Sequence, residues 1–125
     1  MSGVASAASL RVLVVEDEAL VAMLLEDMIQ DAGHQAVCVV TEFEAAVDYV
    51  TSRADTFDVA VLDVNLGGQP SFPIAAALAE REKPFLFSSG YGRDGLPESW
   101  RDHPVLAKPF GSQAVNEALL GLQKA

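Results

Sequence analysis

Four places in the sequence put reactive side chains directly after short apolar runs. Glu16-Asp17-Glu18 follows residues 10–15, and Asp63 follows residues 57–62 with Asn65 two positions on. Ser88-Ser89 follows residues 84–87, and Lys108-Pro109 follows residues 105–107. Clustered carboxylates, a hydroxyl and an ammonium are the parts of a phosphoryl-transfer site. Carboxylates that repel one another need a cation, and one or two of them with waters suit Mg2+. A carboxylate can also accept a phosphoryl group as an aspartyl phosphate, which makes Asp63 the candidate nucleophile. Mg2+ and Lys108 would neutralise charge on the group in transfer, and Ser89 would hydrogen-bond one of its oxygens afterwards. Each residue has a plainer use: Asp17 as a helix cap, Asp63 opening a turn, Ser89 capping the next helix, Lys108 as a solvated loop lysine. The order of elements favours the joint reading.

Residues 10–15 read as a buried strand. Leu20, Val21, Leu24, Leu25, Met28 and Ile29 then recur at helical spacing over residues 19–32, with Gly33 placed to end the helix. Residues 36–40 form a second strand. Thr41 is a predicted cap for a helix through about Arg53, with Glu44 as its capping-box partner. Residues 57–62 form a third strand, residues 65–73 a loop rich in Gly and Pro, and residues 74–82 a short helix. A fourth strand starts at residues 84–87. Residues 92–103 are polar and broken by Gly95 and Pro97, so at most a turn or two of helix is expected. Residues 105–107 form a fifth strand. Ser112 is a predicted cap for a last helix that carries Val115, Ala118, Leu119 and Leu122 on one face. Strand and helix alternating in this way predict an α/β fold, a parallel sheet covered on both sides. Ligands of such sheets bind beyond the carboxyl ends of the strands, where all the reactive clusters fall.

The chain has 125 residues, about one domain. Residues 1–9, rich in small side chains, are expected to be a flexible N-terminal tail, and residues 10–125 the domain, with no output domain. With a net charge of −10 and only 8 Lys plus Arg, the chain is a poor ligand for duplex DNA or an anionic membrane. Neither nucleic acid nor membrane is an expected partner. No apolar run reaches the ~20 residues of a membrane-spanning helix, and the N-terminus lacks a signal peptide's pattern. The expected location is the cytoplasm. Cys38 is the single cysteine, expected as a buried, inert thiol.

Val14-Val15-Glu16-Asp17-Glu18, Val61-Leu62-Asp63-Val64-Asn65, Phe87-Ser88-Ser89-Gly90-Tyr91 and Ala107-Lys108-Pro109-Phe110 together closely resemble the receiver domain of two-component response regulators, over nearly the whole chain from Leu10. The resemblance implies a flavodoxin-like (βα)5 three-layer sandwich with strand order 2-1-3-4-5. It implies that Asp63 takes phosphate from a sensor histidine kinase or histidine phosphotransferase. Asp17 and Asp63 side chains and the Asn65 backbone carbonyl would ligate Mg2+ (or Mn2+), with Glu16 acting through a water. Lys108 would contact the phosphoryl group, and its bond to Pro109 would be cis. Residues 84–92 further resemble the signature of the FAT GUY single-domain receivers of alphaproteobacteria, with Ser88 and Ser89 replacing Ala and Thr. That group is similar in its short fourth-helix region and its link to stress signalling.

The sequence departs from the family in places. Leu66-Gly67-Gly68 replaces a Pro-containing loop, and the fourth helix is short or irregular. Val105 holds the position of a switching aromatic, for which Tyr91 is the candidate substitute. The expected function is a phosphorylation-dependent switch. It is not an enzyme beyond self-catalysed phosphotransfer and autodephosphorylation. It would act by protein contact on a downstream signalling protein, through residues 88–104 and a surface including Tyr91, Trp100 and Val105; Phe110 reads as packing. A phosphate-independent interaction module is the main alternative. A Mg-dependent aspartyl-phosphate hydrolase of the haloacid-dehalogenase type would need an acid where Asn65 stands. A flavodoxin-like cofactor binder would need a phosphate cradle where Glu16, Asp17 and Glu18 stand.

Overall fold

The computed structural model describes residues 9–123. Apart from Ser9, the expected tail lies outside the described residues. β1 (Arg11–Val15), β2 (Gln35–Val40) and β3 (Val59–Asp63) alternate with α1 (Ala19–Asp31) and α2 (Phe43–Ser52). A hairpin of β4 (Asn65–Leu66) and β5 (Gln69–Pro70) precedes α3 (Phe72–Glu80). β6 (Phe85–Ser89), β7 (Val105–Ala107) and α4 (Ser112–Gln123) complete the chain. The main sheet runs β2-β1-β3-β6-β7, every pair parallel. With the hairpin strands set aside, this is the expected order 2-1-3-4-5.

Period-two alternation divides the strands between two cores. Leu13, Val15, Ala60, Leu62, Phe85 and Phe87 face α2 and α3. Val12, Val14, Val59, Val61 and Leu86 pack with Leu25 and Ile29 of α1 and Val115 and Leu119 of α4. Helices thus lie on both sides, which is why these strands read as continuous apolar runs rather than half-polar ones.

Several local expectations are corrected. α2 is capped at Glu42, with no side-chain bond, so Thr41 and Glu44 form no capping box; Glu44 instead places its charge in the first turn, where the helix dipole favours it. At α4 the Gly111 carbonyl takes the first helical bond, from the Val115 N–H at 3.1 Å, leaving Ser112 inside the helix. α3 begins before residue 74, because Pro73 fits the first turn, where a missing N–H costs nothing. Residues 65–73 are not a plain loop. Gly67 and Gly68 have φ of 59° and 86°, the positive pair of a two-residue hairpin turn. In α1, Ala22, Leu25 and Ile29 are buried, while Leu20, Met23 and Leu24 are exposed. Cys38 is half-buried rather than buried. Between β6 and β7, by contrast, the expectation holds: the chain makes only two 3₁₀ turns, Gly92–Gly95 and Glu98–Trp100.

Candidate functional site

The strands that end in reactive residues are neighbours in the sheet, so their carboxyl ends meet. Val15 pairs with Leu62, Asp63 with Ser88, and Ser89 with Ala107. The Lys108 N–H continues the ladder to the Ser89 carbonyl at 2.9 Å, and the Lys108–Pro109 bond is cis.

Three carboxylates, Glu16, Asp17 and Asp63, offer oxygens within 4.8 Å of one another, with Glu16 and Asp63 buried and Asp17 exposed. Each carboxylate has one oxygen near a main-chain N–H. Glu16 Oε2 accepts from Glu18 at 3.1 Å and Asp17 Oδ2 from Gly67 at 2.9 Å, while Asp63 Oδ1 lies at the long limit, 3.5 Å, from the Asn65 N–H. Lys108 Nζ meets the facing oxygens, 3.1 Å from Glu16 Oε1 and 3.5 Å from Asp63 Oδ2, with Glu18 Oε1 at 3.9 Å. The contact to Glu16 Oε1 is an ion pair without hydrogen-bond alignment.

Negative charge therefore exceeds positive charge at this point. Burial first, and the Glu16 carboxylate second, push the Asp63 carboxyl up from 3.8 to about 7, although the Lys108 ammonium pulls the other way. Burial works to lower the Lys108 ammonium, but Asp63 and Glu16 together outweigh it and hold its pKa above the ordinary value.

These positions exclude the plainer roles of two residues. Asp17 does not cap α1, whose cap is Glu18 with no side-chain bond, and Lys108 is not a solvated lysine. Ser89 is buried, and its hydroxyl accepts from the Tyr91 N–H at 3.1 Å. Tyr91 itself is 84% exposed. Trp100 is half-buried in an aromatic cluster, stacked on Phe72 at 5.9 Å and edge-on to Phe87; it is a packing residue with one face to solvent. Val105 is half-buried beside the same core. Phe110 packs against the other core. It also lines a groove of about 270 Å3 with Val21, Leu24, Met28, Lys108 and Pro109.

Sequence reading named Ser88 with Ser89 but gave the role to Ser89 alone; the Ser88 hydroxyl is buried without a partner on the strand position facing Asp63. Period-two spacing from Leu86 was the available signal. It also missed the Gly67 N–H, which reaches Asp17 only because the hairpin folds back.

Residues 12–119 match the model of the response regulator receiver domain. The solution structure of SdrG from Sphingomonas melonis Fr1 is similar at 41% identity and a TM-score of 0.80, over 92% of this chain and 97% of that one. The BeF3-activated conformation of SdrG from Pseudomonas melonis Fr1 is similar at 40% identity and a TM-score of 0.77, over 98% and 99%. Transcriptional regulatory protein PdtaR of Mycobacterium tuberculosis is 29% identical over 104 residues, 80% of this chain and 50% of its own length. The chain thus spans about half the length of that curated relative.

Proposed function

The chain belongs to the response regulator receiver domain family, and we propose that it is a phosphorylation switch of two-component signalling whose acceptor is Asp63. One observation carries the reading. The buried Asp63 carboxylate stands between an ammonium at 3.5 Å and a cluster of carboxylates with ligand atoms within 4.8 Å.

The donor set fits a small divalent cation. It is all oxygen, burial and then the neighbouring Glu16 carboxylate raise the Asp63 pKa, and Asp17 keeps an exposed side toward water. Asp17, Asp63 and the Asn65 backbone carbonyl would hold Mg2+ (or Mn2+), with Glu16 reaching it through a water. Bound there, the ion would offset the carboxylate charge and polarise the phosphoryl oxygens. An Asp63 oxygen attacks the phosphorus of a phosphohistidine; the P–N bond breaks and the imidazole leaves with its electron pair and takes up a proton. Lys108 turns from the carboxylates to the phosphoryl oxygens, and Ser89 donates to one of them. Hydrolysis of the acyl phosphate resets the site.

The donor is a sensor histidine kinase or histidine phosphotransferase. Its helical, apolar docking surface would rest on Leu20, Met23 and Leu24, which are exposed on α1, Leu24 also lining the groove next to Lys108. A downstream signalling protein would read residues 88–104. The described residues hold no helix long and apolar enough to cross a membrane, and we place this exchange in the cytoplasm. The BeF3-activated conformation of SdrG supports a switch in a similar chain.

The test is intact mass after incubation with acetyl phosphate and Mg2+. Wild type should gain one phosphoryl group and Asp63→Asn none. If neither acetyl phosphate nor a phosphorylated histidine kinase labels wild type, the chain is a phosphate-independent interaction module instead.

A further inference from the structure

The glycine at position 95 stands apart from the other described glycines. A β-carbon built there meets Ser89 Oγ at 2.7 Å and Tyr91 Cβ at 3.2 Å, whereas the others have open space. Real side chains essentially never pack a β-carbon that close, so the contact excludes even alanine while Ser89 keeps its present rotamer. The atom in the way ends a short side chain with one rotatable bond. A methyl group at position 95 would therefore turn Ser89 and press the Tyr91 β-carbon, at 3.2 Å, aside by a few tenths of an ångström.

That rotamer is a specific one. Its oxygen takes the Tyr91 N–H at 3.1 Å, within the turn Ser89 itself opens. Along β6, Leu86 belongs to the α1–α4 core and Phe87 to the α2–α3 core. Alternation puts Ser88, paired with Asp63, on the Asp63 side and Ser89 on the opposite side. The Ser89 hydroxyl therefore has to swing to reach a group on Asp63.

We propose that Gly95 is a positioning residue: it leaves the space in which Ser89 rests against Tyr91, and so sets the resting state from which the hydroxyl must be drawn to the phosphoryl group. The functional half of this inference rests on Asp63 being the acceptor; the packing half does not. The 3₁₀ turn Gly92–Gly95 becomes the element that senses Ser89. When the hydroxyl leaves, the space beside Gly95 opens and Tyr91 loses its acceptor. Leu96, buried in the α2–α3 core beside Trp100 and Phe87, carries the change onward. This route needs no aromatic side chain at Val105.

The experiment uses Gly95→Ala, Ser89→Ala and the double variant. In metal-free, unphosphorylated protein, the Ser89 side-chain rotamer is read from NMR couplings and the Tyr91 amide from its chemical shift. Gly95→Ala should move both while amides outside residues 86–98 stay put. With Mg2+ and beryllofluoride as the phosphoryl mimic, Gly95→Ala should bind about three- to tenfold more tightly than wild type, since the competing resting state is weakened. In the Ser89→Ala background the same substitution should change affinity by less than about twofold, because the nearest opposing atom, Ser89 Oγ, is gone and only the Tyr91 Cβ contact remains. An unchanged Ser89 rotamer, or an equal affinity change in both backgrounds, overturns the proposal. If Gly95→Ala fails to fold and the double variant folds, the contact is confirmed as Ser89's; if neither folds, the proposal is wrong. A wild type that binds no beryllofluoride removes the acceptor reading, while the rotamer measurement still decides the packing role of Gly95.

Discussion

Replacing Asp63 by Asn should make the metal-free protein more stable, and by an amount that depends on pH. The Asp63 carboxyl rises from 3.8 to about 7, through burial first and Glu16 second. Between those values the folded chain keeps a proton that the unfolded chain has released. Wild-type stability therefore falls as pH rises through this window, with a slope approaching about 1.4 kcal/mol per unit. Above pH 7 the whole penalty is present, at most about 4 kcal/mol. The opposing pull of Lys108 is already contained in that figure, because the carboxyl is raised despite it. Asparagine keeps the shape without the charge, so Asp63→Asn should gain about 2–4 kcal/mol at pH 8 in chelator. The gain should shrink steadily toward pH 5.5. Saturating Mg2+ should narrow the gap at pH 8, because a cation offsets the charge that the substitution removes. Urea unfolding at several pH values, with and without Mg2+, measures all of this. No gain at pH 8, or the same gain at pH 5.5, would refute the charge argument.

Ser88→Ala should stabilise the fold by about 1 kcal/mol, since it removes a buried hydroxyl with no partner; destabilisation in urea would mean that the hydroxyl is satisfied in solution. Trp100→Ala should cost about 2 kcal/mol through lost contacts with Phe72, Phe85 and Phe87. As the single tryptophan in the chain, Trp100 should also change its fluorescence when beryllofluoride and Mg2+ are added to wild type, and a flat signal would exclude movement of its ring.

The fold was legible because burial on both sides of a parallel sheet writes each strand as an apolar run, and the reactive residues stand where those runs stop. What was not legible depends on contacts across the chain. Thr41 and Glu44 have the spacing of a capping box, yet the turn out of β2 begins the helix one residue later. Leu20, Val21 and Leu24 have helical spacing like Leu25 and Ile29, but spacing alone does not say which side of a broad apolar stripe meets the sheet. Gly67-Gly68 did carry a hairpin signal, masked by the prolines on its far side.

The charges of the site show the same division. The sequence identifies Glu16, Asp17, Asp63 and Lys108, but not what aims them. That work falls to the main chain: the N–H groups of Glu18 and Gly67 hold one oxygen of Glu16 and of Asp17, and the Asn65 N–H lies near Asp63. These donors belong to the backbone, so their positions follow from the hairpin and from the entry to α1 rather than from side-chain identity. The unusual Leu66-Gly67-Gly68 segment is therefore part of the site. Its positive-φ turn presents the N–H that fixes Asp17, the most exposed carboxylate of the cluster. At this position the chain uses a hairpin that restrains the acidic residue least constrained by burial.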